Sequence, residues 1–405
     1  VKVSGSTATI IAAGTYSLSG TLSDGQIVVE TDSDAPVQLV LNGVSLRSSS
    51  SAPIYIVKAK KVILILADGT QNTVTDASKY VFAGADVDEP NAAVFSKSDL
   101  SIAGNGSLTV NGNYNDGIAS KDGLIIAGGT INVTAVDDGI RGKDYLVVEN
   151  GTLTISARGD GLKSDSEEDA TKGYISIENG VFNVTSGGDA FSAKTDLLVS
   201  TGEFNITSGG GSTARLADDV SAKGLKAVNN LTIDNGSFTI NSADDTLHSN
   251  NNLVVNAGTF TLTSADDGMH ADTTLSINGG DINIVQSYEG IESSVITINS
   301  GNVHLVSSDD GINAASGTGS SAMGPGGPGG PGGPQNQPGA SATNYLYING
   351  GYIVINAGGD GLDANGAIEM TDGVVIVNGP TQNGNGALDY DAGFKLTGGT
   401  VIAAG

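Results

Sequence analysis

Paired carboxylates set ahead of a glycine and an aliphatic residue return about every 22 residues through the last three-quarters of this 405-residue chain. They read Asn115-Asp116-Gly117-Ile118, Asp137-Asp138-Gly139-Ile140, Gly159-Asp160-Gly161-Leu162, Asp244-Asp245-Thr246-Leu247, Asp266-Asp267-Gly268-Met269, Asp309-Asp310-Gly311-Ile312 and Gly359-Asp360-Gly361-Leu362. Looser copies are Gly188-Asp189-Ala190-Phe191 and Tyr288-Glu289-Gly290-Ile291. A fixed period of this size marks a repeat architecture, in which each unit stacks on the last and like charges line up. Ionised carboxylates that close repel and raise each other's pKa, so something must neutralise them. Hard oxygen donors on adjacent repeats can supply several ligands to one Ca²⁺. An Asp-Gly turn explains one aspartate per unit, but not a retained pair. The candidate calcium ligands are Asp116, Asp137, Asp138, Asp160, Asp189, Asp244, Asp245, Asp266, Asp267, Glu289, Asp309, Asp310 and Asp360. The pattern differs from the nonapeptide repeats of calcium rolls.

Counting from the second acidic residue of each unit as zero, basic residues fall at offsets 3 and 5: Lys121, Arg141, Lys143, Lys163, Lys194 and Lys226. Between Ala227 and Phe394 there is neither Lys nor Arg. Two readings stand side by side. The cations pair from repeat to repeat with the aspartate row, or they form a groove that meets the carboxylates of an acidic sugar polymer, with calcium helping. Tyr145 and Tyr174 share offset 7 on adjacent repeats, outward and spaced to stack on sugar rings, although strand propensity alone also places tyrosines there. His248 and His270 occupy matching offsets, as a ladder pair would.

The net charge of -26 argues against nucleic acid and anionic lipid, both of which need a basic face. It favours divalent cations and neutral or cation-bridged ligands. Without cysteine there is no disulfide or thiolate chemistry, and three histidines leave little room for zinc. No run reaches membrane-spanning length. The chain opens at Val1 without a leader, as a processed export product would, and its small-polar, acidic, Lys-poor composition points to secretion.

The elements that must carry these groups follow from the apolar residues. These recur at offsets 2, 8, 10, 15 and 17: Ile118, Leu124, Ile126, Ile131 and Val133, then Ile140, Leu146, Val148, Leu153 and Ile155, and so on through the chain. Apolar pairs two apart are strand periodicity. Glycine recurs at offset 13 (Gly129, Gly151, Gly202, Gly236, Gly258, Gly280, Gly373), where a corner needs a left-handed backbone or a bulge. The spacing predicts an all-β chain: a parallel β-helix, or β-solenoid, with roughly 22-residue coils of two clear strands and a shorter third near offset 2. One continuous solenoid domain is expected, with regular coils over 115–405 and insertions at 164–172, 209–219 and 317–343, the last a Gly/Pro-rich loop. Residues 1–114 read as an N-terminal cap and irregular first coils, with strands at Ala8–Ile11, Ile27–Glu30, Val37–Leu41, Ile54–Val57 and Val62–Leu66. The chain ends in mid-strand at Thr400 to Gly405, so either more chain follows or this coil docks, for instance end to end on another copy.

The N-terminal block resembles a bacterial family of secreted carbohydrate-binding β-helix proteins related in fold to polysaccharide lyases. The residues that carry the resemblance begin with Gly14-Thr-Tyr-Ser-Leu-Ser-Gly, Val40-Leu-Asn-Gly-Val-Ser-Leu and Ala67-Asp-Gly-Thr-Gln-Asn-Thr-Val. They continue with Ala92-Ala-Val-Phe-Ser-Lys-Ser-Asp-Leu-Ser-Ile and Gly104-Asn-Gly-Ser-Leu-Thr-Val. The resemblance implies a right-handed β-helix, bound Ca²⁺, export to the cell surface or beyond, and binding of cellulose-like or polygalacturonate-like polymers without cleavage. It sets the family's acidic coil motif on Asp138, Asp160, Asp189, Asp245, Asp267, Asp310 and Asp360. Two alternatives remain open: a surface or matrix fibre built by end-to-end stacking, and a polysaccharide lyase whose base would be Arg141, Lys143 or Lys163.

Overall fold

The computed structural model describes the chain except residues 83, 85, 218–219, 316–342 and 381–383. Nearly all of the Gly/Pro-rich insertion, and two residues of the insertion at 209–219, lie outside the described residues. The protein is all-β, with 42 strands in one sheet and no helix among the described residues. In particular, no helix is long and apolar enough to cross a membrane. One antiparallel pair, Lys2–Ser4 with Thr7–Ile10, opens the sheet. The pairings that follow are parallel, and each strand bonds its equivalents one repeat before and one repeat after. Thus Ile118 faces Ile140, Leu124 faces Leu146 and Ile131 faces Leu153. This pairing is consistent with a β-solenoid.

Three rows of strands result. One runs through Gly123–Ile126, Tyr145–Val148 and Tyr174–Ile177, and a second through Thr130–Ala135, Thr152–Ala157 and Val181–Ser186. The third is built of three-residue strands such as Ile140–Gly142, Leu162–Ser164 and Phe191–Ala193. Strand alternation sends the apolar offsets inward, so Ile118, Leu124, Ile126, Ile131 and Val133 are all buried. Stacked repeats merge them into one continuous core from Ile10 to Val377. Within it Phe182, Phe204, Phe238 and Phe260 stack face to face, with centroids 4.8, 4.5 and 4.7 Å apart. The corner glycines do adopt positive φ, from 93° at Gly129 to 147° at Gly202. In the first coils Val37–Arg47 runs longer than the sequence suggested: Gly43, at φ 74°, turns the chain without breaking it. Leu39 and Leu41 therefore face Leu64 and Leu66, while Ser45 and Leu46 pair with Thr73 and Val74.

Amides stitch the outer corner. Asn256 donates to Asp234, Asn278 to Asn256, Asn299 to Asn278 and Asn349 to Asn299, at 2.8, 2.8, 2.8 and 2.9 Å. Replacing Asn278 with Ala removes a donor and an acceptor from this exposed ladder. The expected loss is about 1 kcal/mol in urea unfolding.

Candidate functional site

The aspartate row lies along the approach to the third strand row. The glycine after each aspartate is held there by packing and not by its φ. A Cβ on Gly139 would meet Ile155 Cγ2 at 2.5 Å and the Gly161 carbonyl oxygen of the next coil at 2.6 Å. The coils touch at this point: the Gly139 N–H donates to the Asp160 carbonyl at 2.8 Å, and Ile140 N–H to the Gly161 carbonyl at 3.0 Å.

Most row carboxylates have a structural task that the motif alone does not reveal. Their Oδ1 accepts the backbone N–H of the equivalent residue one coil on. Asp160 N–H bonds Asp138 Oδ1 at 2.8 Å, Asp189 N–H bonds Asp160 at 2.8 Å, and Lys223 N–H bonds Asp189 at 2.8 Å. Asp267 N–H bonds Asp245 at 2.9 Å and Asp360 N–H bonds Asp310 at 2.6 Å. A charged acceptor on a buried amide is a strong bond, and it accounts for one aspartate in each of these coils without a metal. The second oxygen remains for other partners.

Those partners come from the column at offset 3, and they change along the molecule. In register the column reads Ala119, Arg141, Lys163, Ser192, Lys226, His248, His270, Glu292, Asn313, Asp363 and Asp389. In the first half lysines answer the row. Lys163 Nζ lies 3.1 Å from Asp138 Oδ2 and 2.9 Å from Asp160 Oδ2, and Lys226 lies 3.0 Å from Asp189 Oδ2. Lys223, standing in the row itself, reaches Asp245 Oδ2 at 3.1 Å. In the middle the histidines take over. The His248 and His270 rings stack at 5.0 Å; His248 Nδ1 contacts Asp245 Oδ2 at 2.7 Å, and His270 Nδ1 contacts Glu292 Oε2 at 2.8 Å. Burial disfavours the His270 cation, but bonds to Asp267 and Glu292 outweigh it and push its pKa up to about 12. From Glu292 onward the column carries acids and one amide, Asn313.

Carboxylates therefore collect beyond what the lysines answer at two places, at the first of which Lys163 pairs with Asp138 alone. Asp116, Asp137 and Asp138 bring oxygens within 4.8 Å of one another at the start of the row, as do Asp310, Asp360 and Asp363 near its end. Asp116 is almost wholly buried, and its Oδ2 has no hydrogen-bond partner. Burial, then the nearby Asp138 charge, pushes its pKa up to about 8. At the far end Asn313 Oδ1 is likewise buried without a donor, while its amide nitrogen gives a 3.0 Å bond to Glu289. Burial leads the rise at Glu289 to about 8, at Asp363 to about 7 and at Asp310 to about 6, each helped by neighbouring carboxylates. Unpaired buried acceptors amid carboxylates suit a hard cation, so both sets fit calcium by donor chemistry. Two further sets contain a cationic partner: Lys223 beside Asp244, Asp245 and Asp266, and His270 between Asp267 and Glu292.

The other residues singled out in the sequence divide. Lys121 pairs with Glu89 at 2.6 Å. Arg141, Lys143 and Lys194 pair with Asp165, Glu168 and Glu167 of the insertion at 164–172, at 2.7, 3.6 and 2.7 Å. Repeat-to-repeat pairing with the row thus holds for Lys163 and Lys226 alone among the basic residues named from the sequence. Tyr145 and Tyr174 stack on each other at 5.6 Å, and the Tyr145 ring lies over Gly123, where a Cβ would meet it at 2.0 Å. Both faces of Tyr145 are covered, which removes it as a sugar platform. Asp309 precedes Asp310 in the chain, and its backbone carbonyl accepts the Gly359 N–H at 2.9 Å. Residues that sequence reasoning passed over are Asp363, Glu292 and Asn313. Each sits at offset 3, the position that carries bases in the earlier coils.

Comparison with known proteins adds three findings. A family model described as carbohydrate-binding domain-containing protein matches residues 4–268. A carbohydrate-binding domain-containing protein of Acetivibrio thermocellus is 48% identical over 122 residues, which make up 30% of this chain and 43% of that protein. The match thus spans less than half the relative's length. Among solved structures, the polysaccharide lyase-like protein from C. thermocellum, a gadolinium derivative, matches with a TM-score of 0.51 and 38% identity, covering 52% of this chain and 84% of that one.

Proposed function

The chain belongs to the family of carbohydrate-binding domain-containing proteins, and from that premise we propose that it is a non-catalytic, calcium-stabilised polysaccharide-binding protein acting at or outside the cell surface. The scaffold in this reading is a right-handed parallel β-helix, since parallel strands joined within one sheet connect right-handedly in about 98% of cases. The observation that carries the calcium is the buried, unpartnered Asp116 Oδ2 set among Asp137 and Asp138. Asp116, Asp137 and Asp138 would hold one ion, and Asp310, Asp360 and Asp363 another. The bound ion would supply positive charge to Asp116 and Asp310, beyond the lysine pairs at Asp138 and Asp160. The solved relative is a gadolinium derivative, and such a hard ion seeks the same oxygen donors as calcium.

Polygalacturonate-like and cellulose-like chains are the proposed ligands. The surface around Arg141, Lys143 and Lys194 suits the acidic class, because guanidinium and ammonium groups on neighbouring coils can meet carboxylates along a sugar chain. Lyase action is disfavoured by the same geometry. A catalytic base must give up its proton near neutral pH. Burial works against the Lys163 cation, yet Asp160 and Asp138 hold its pKa above the ordinary lysine value. Arg141 is fixed in the same way by Asp165.

Retention on immobilised polygalacturonate should be lost on adding a chelator and recovered with excess calcium. Binding indifferent to chelator would sink the calcium-dependent mechanism, and a rise in unsaturated-product absorbance would restore the lyase.

A further inference from the structure

From Arg141 to Lys226, cations on the third-row face fall into two groups by what they hold. Lys163 and Lys226 answer carboxylates of the aspartate row, and Asp138 and Asp189 are buried there. Arg141, Lys143 and Lys194 answer acids of one surface insertion. That insertion lengthens one repeat from 22 residues (Asp138 to Asp160) to 29 (Asp160 to Asp189) and carries the run Asp165-Ser166-Glu167-Glu168-Asp169. It leaves the fold after Ser164, between the coil of Arg141 and the coil of Lys194, and reaches to both. Its base is pinned: the Ser166 N–H donates to the Lys143 carbonyl at 2.9 Å, and the Gly173 N–H to the Asp144 carbonyl at 2.6 Å. Its acids differ in hold. Asp165 takes the Arg141 fork, Nη2 at 2.7 Å and Nε at 3.0 and 3.1 Å, whereas Glu167 and Glu168 are 72% and 85% exposed.

We infer that this acidic insertion is an internal stand-in for an acidic polysaccharide, occupying Arg141, Lys143 and Lys194 until a polyuronate chain displaces it. The inference rests on the polysaccharide-binding reading above and assigns its ligand class and its regulation. Exposed ion pairs are weak, so the two glutamates are easily exchanged. A polymer presents many carboxylates on one chain, and after the first engages, the rest bind at high effective concentration. A neutral glucan has no group to exchange with the insertion, so the device discriminates in favour of charged chains. The pinned base keeps the insertion close, ready to return when the polymer leaves.

The test uses the full chain and polygalacturonate in calcium. Asp165→Asn, Glu167→Gln and Glu168→Gln together should tighten the Kd about tenfold and steepen its weakening with salt. The pair E167Q/E168Q, confined to exposed side chains, should show part of the gain should the triple variant fold poorly. In the wild type, hydrogen exchange at residues 165–172 should speed up when polymer binds. Equal affinity of wild type and both variants would overturn the stand-in while leaving polysaccharide binding intact. Absence of binding in all three would overturn both. Unchanged exchange in the insertion with polymer bound would place the ligand elsewhere and end the inference.

Discussion

Stripped of divalent ions, the protein should be less stable at pH 8 than at pH 5, and calcium should remove the difference by stabilising it at pH 8. Four carboxyl groups set the sign. Burial, backed by neighbouring carboxylates, raises Asp116 and Glu289 to about 8, Asp363 to about 7 and Asp310 to about 6. The ordinary values are 3.8 for Asp and 4.5 for Glu. Between about pH 4 and pH 8 the folded chain therefore holds more protons than the unfolded chain. Stability must fall as pH rises through that window. One pK unit corresponds to about 1.4 kcal/mol, so part of these displacements already amounts to on the order of 5 kcal/mol. Calcium competes with the protons for the same oxygens, so it should add little at pH 5 and most at pH 8. Urea unfolding at the two pH values, with chelator and with calcium, reads all four states. A metal-free stability that stays level or rises from pH 5 to pH 8 would show that the carboxylates are relieved in some other way.

The same logic distributes the effect along the molecule. Between Ala227 and Phe394 no lysine or arginine can serve the row. The acidic set at Asp310, Asp360 and Asp363 should accordingly open first in hydrogen exchange under chelator, while the coils around Lys163 stay protected.

Much of this was legible in the sequence, because the repeat converts one-dimensional spacing into contact. Offsets 2, 8, 10, 15 and 17 gave the inward ladders, and the recurrent corner glycine gave the positive φ. What spacing could not supply was the partner of each charge. Arg141 finds Asp165 and Lys194 finds Glu167 because an insertion folds back over its neighbours, and that return path follows no period. The glycine after each aspartate read as a turn former, whereas it is required by the side chain of Ile155 and its equivalents pressing from within the coil. The change from Lys163 through His270 to Asp363 was present at one offset, but it emerges only when the coils are aligned across insertions of unequal length. Most consequential was the coil-to-coil bond from Oδ1. It gives the aspartate row a structural reason to exist, so the row by itself no longer argues for metal. That argument now rests on the acceptors the bonds leave over.

Lys163→Met is the substitution that separates the two ways of neutralising the row. Methionine preserves most of the volume and removes the charge, leaving Asp138 and Asp160 facing each other with no cation. Burial, then the like charge of Asp189, already raises Asp160 to about 6 in the presence of the lysine. Removing one partner of a largely buried ion network is expected to cost about 3–5 kcal/mol at pH 8. Protonation of Asp160 should shrink that cost at pH 5. Adding Asp138→Asn should recover part of it, because the remaining carboxylate then faces an amide. Lys163→Arg, which keeps the charge, is the conservative control. The decisive arm is calcium. If lysine and metal are interchangeable neutralisers of one row, Lys163→Met frees Asp138 and Asp160 and extends the acidic set that begins at Asp116, and calcium should stabilise this variant more than it stabilises the wild type. Equal calcium stabilisation of the two proteins would mean that the row binds metal for reasons other than its missing lysines, and the exchange of lysine for metal along one row would fall.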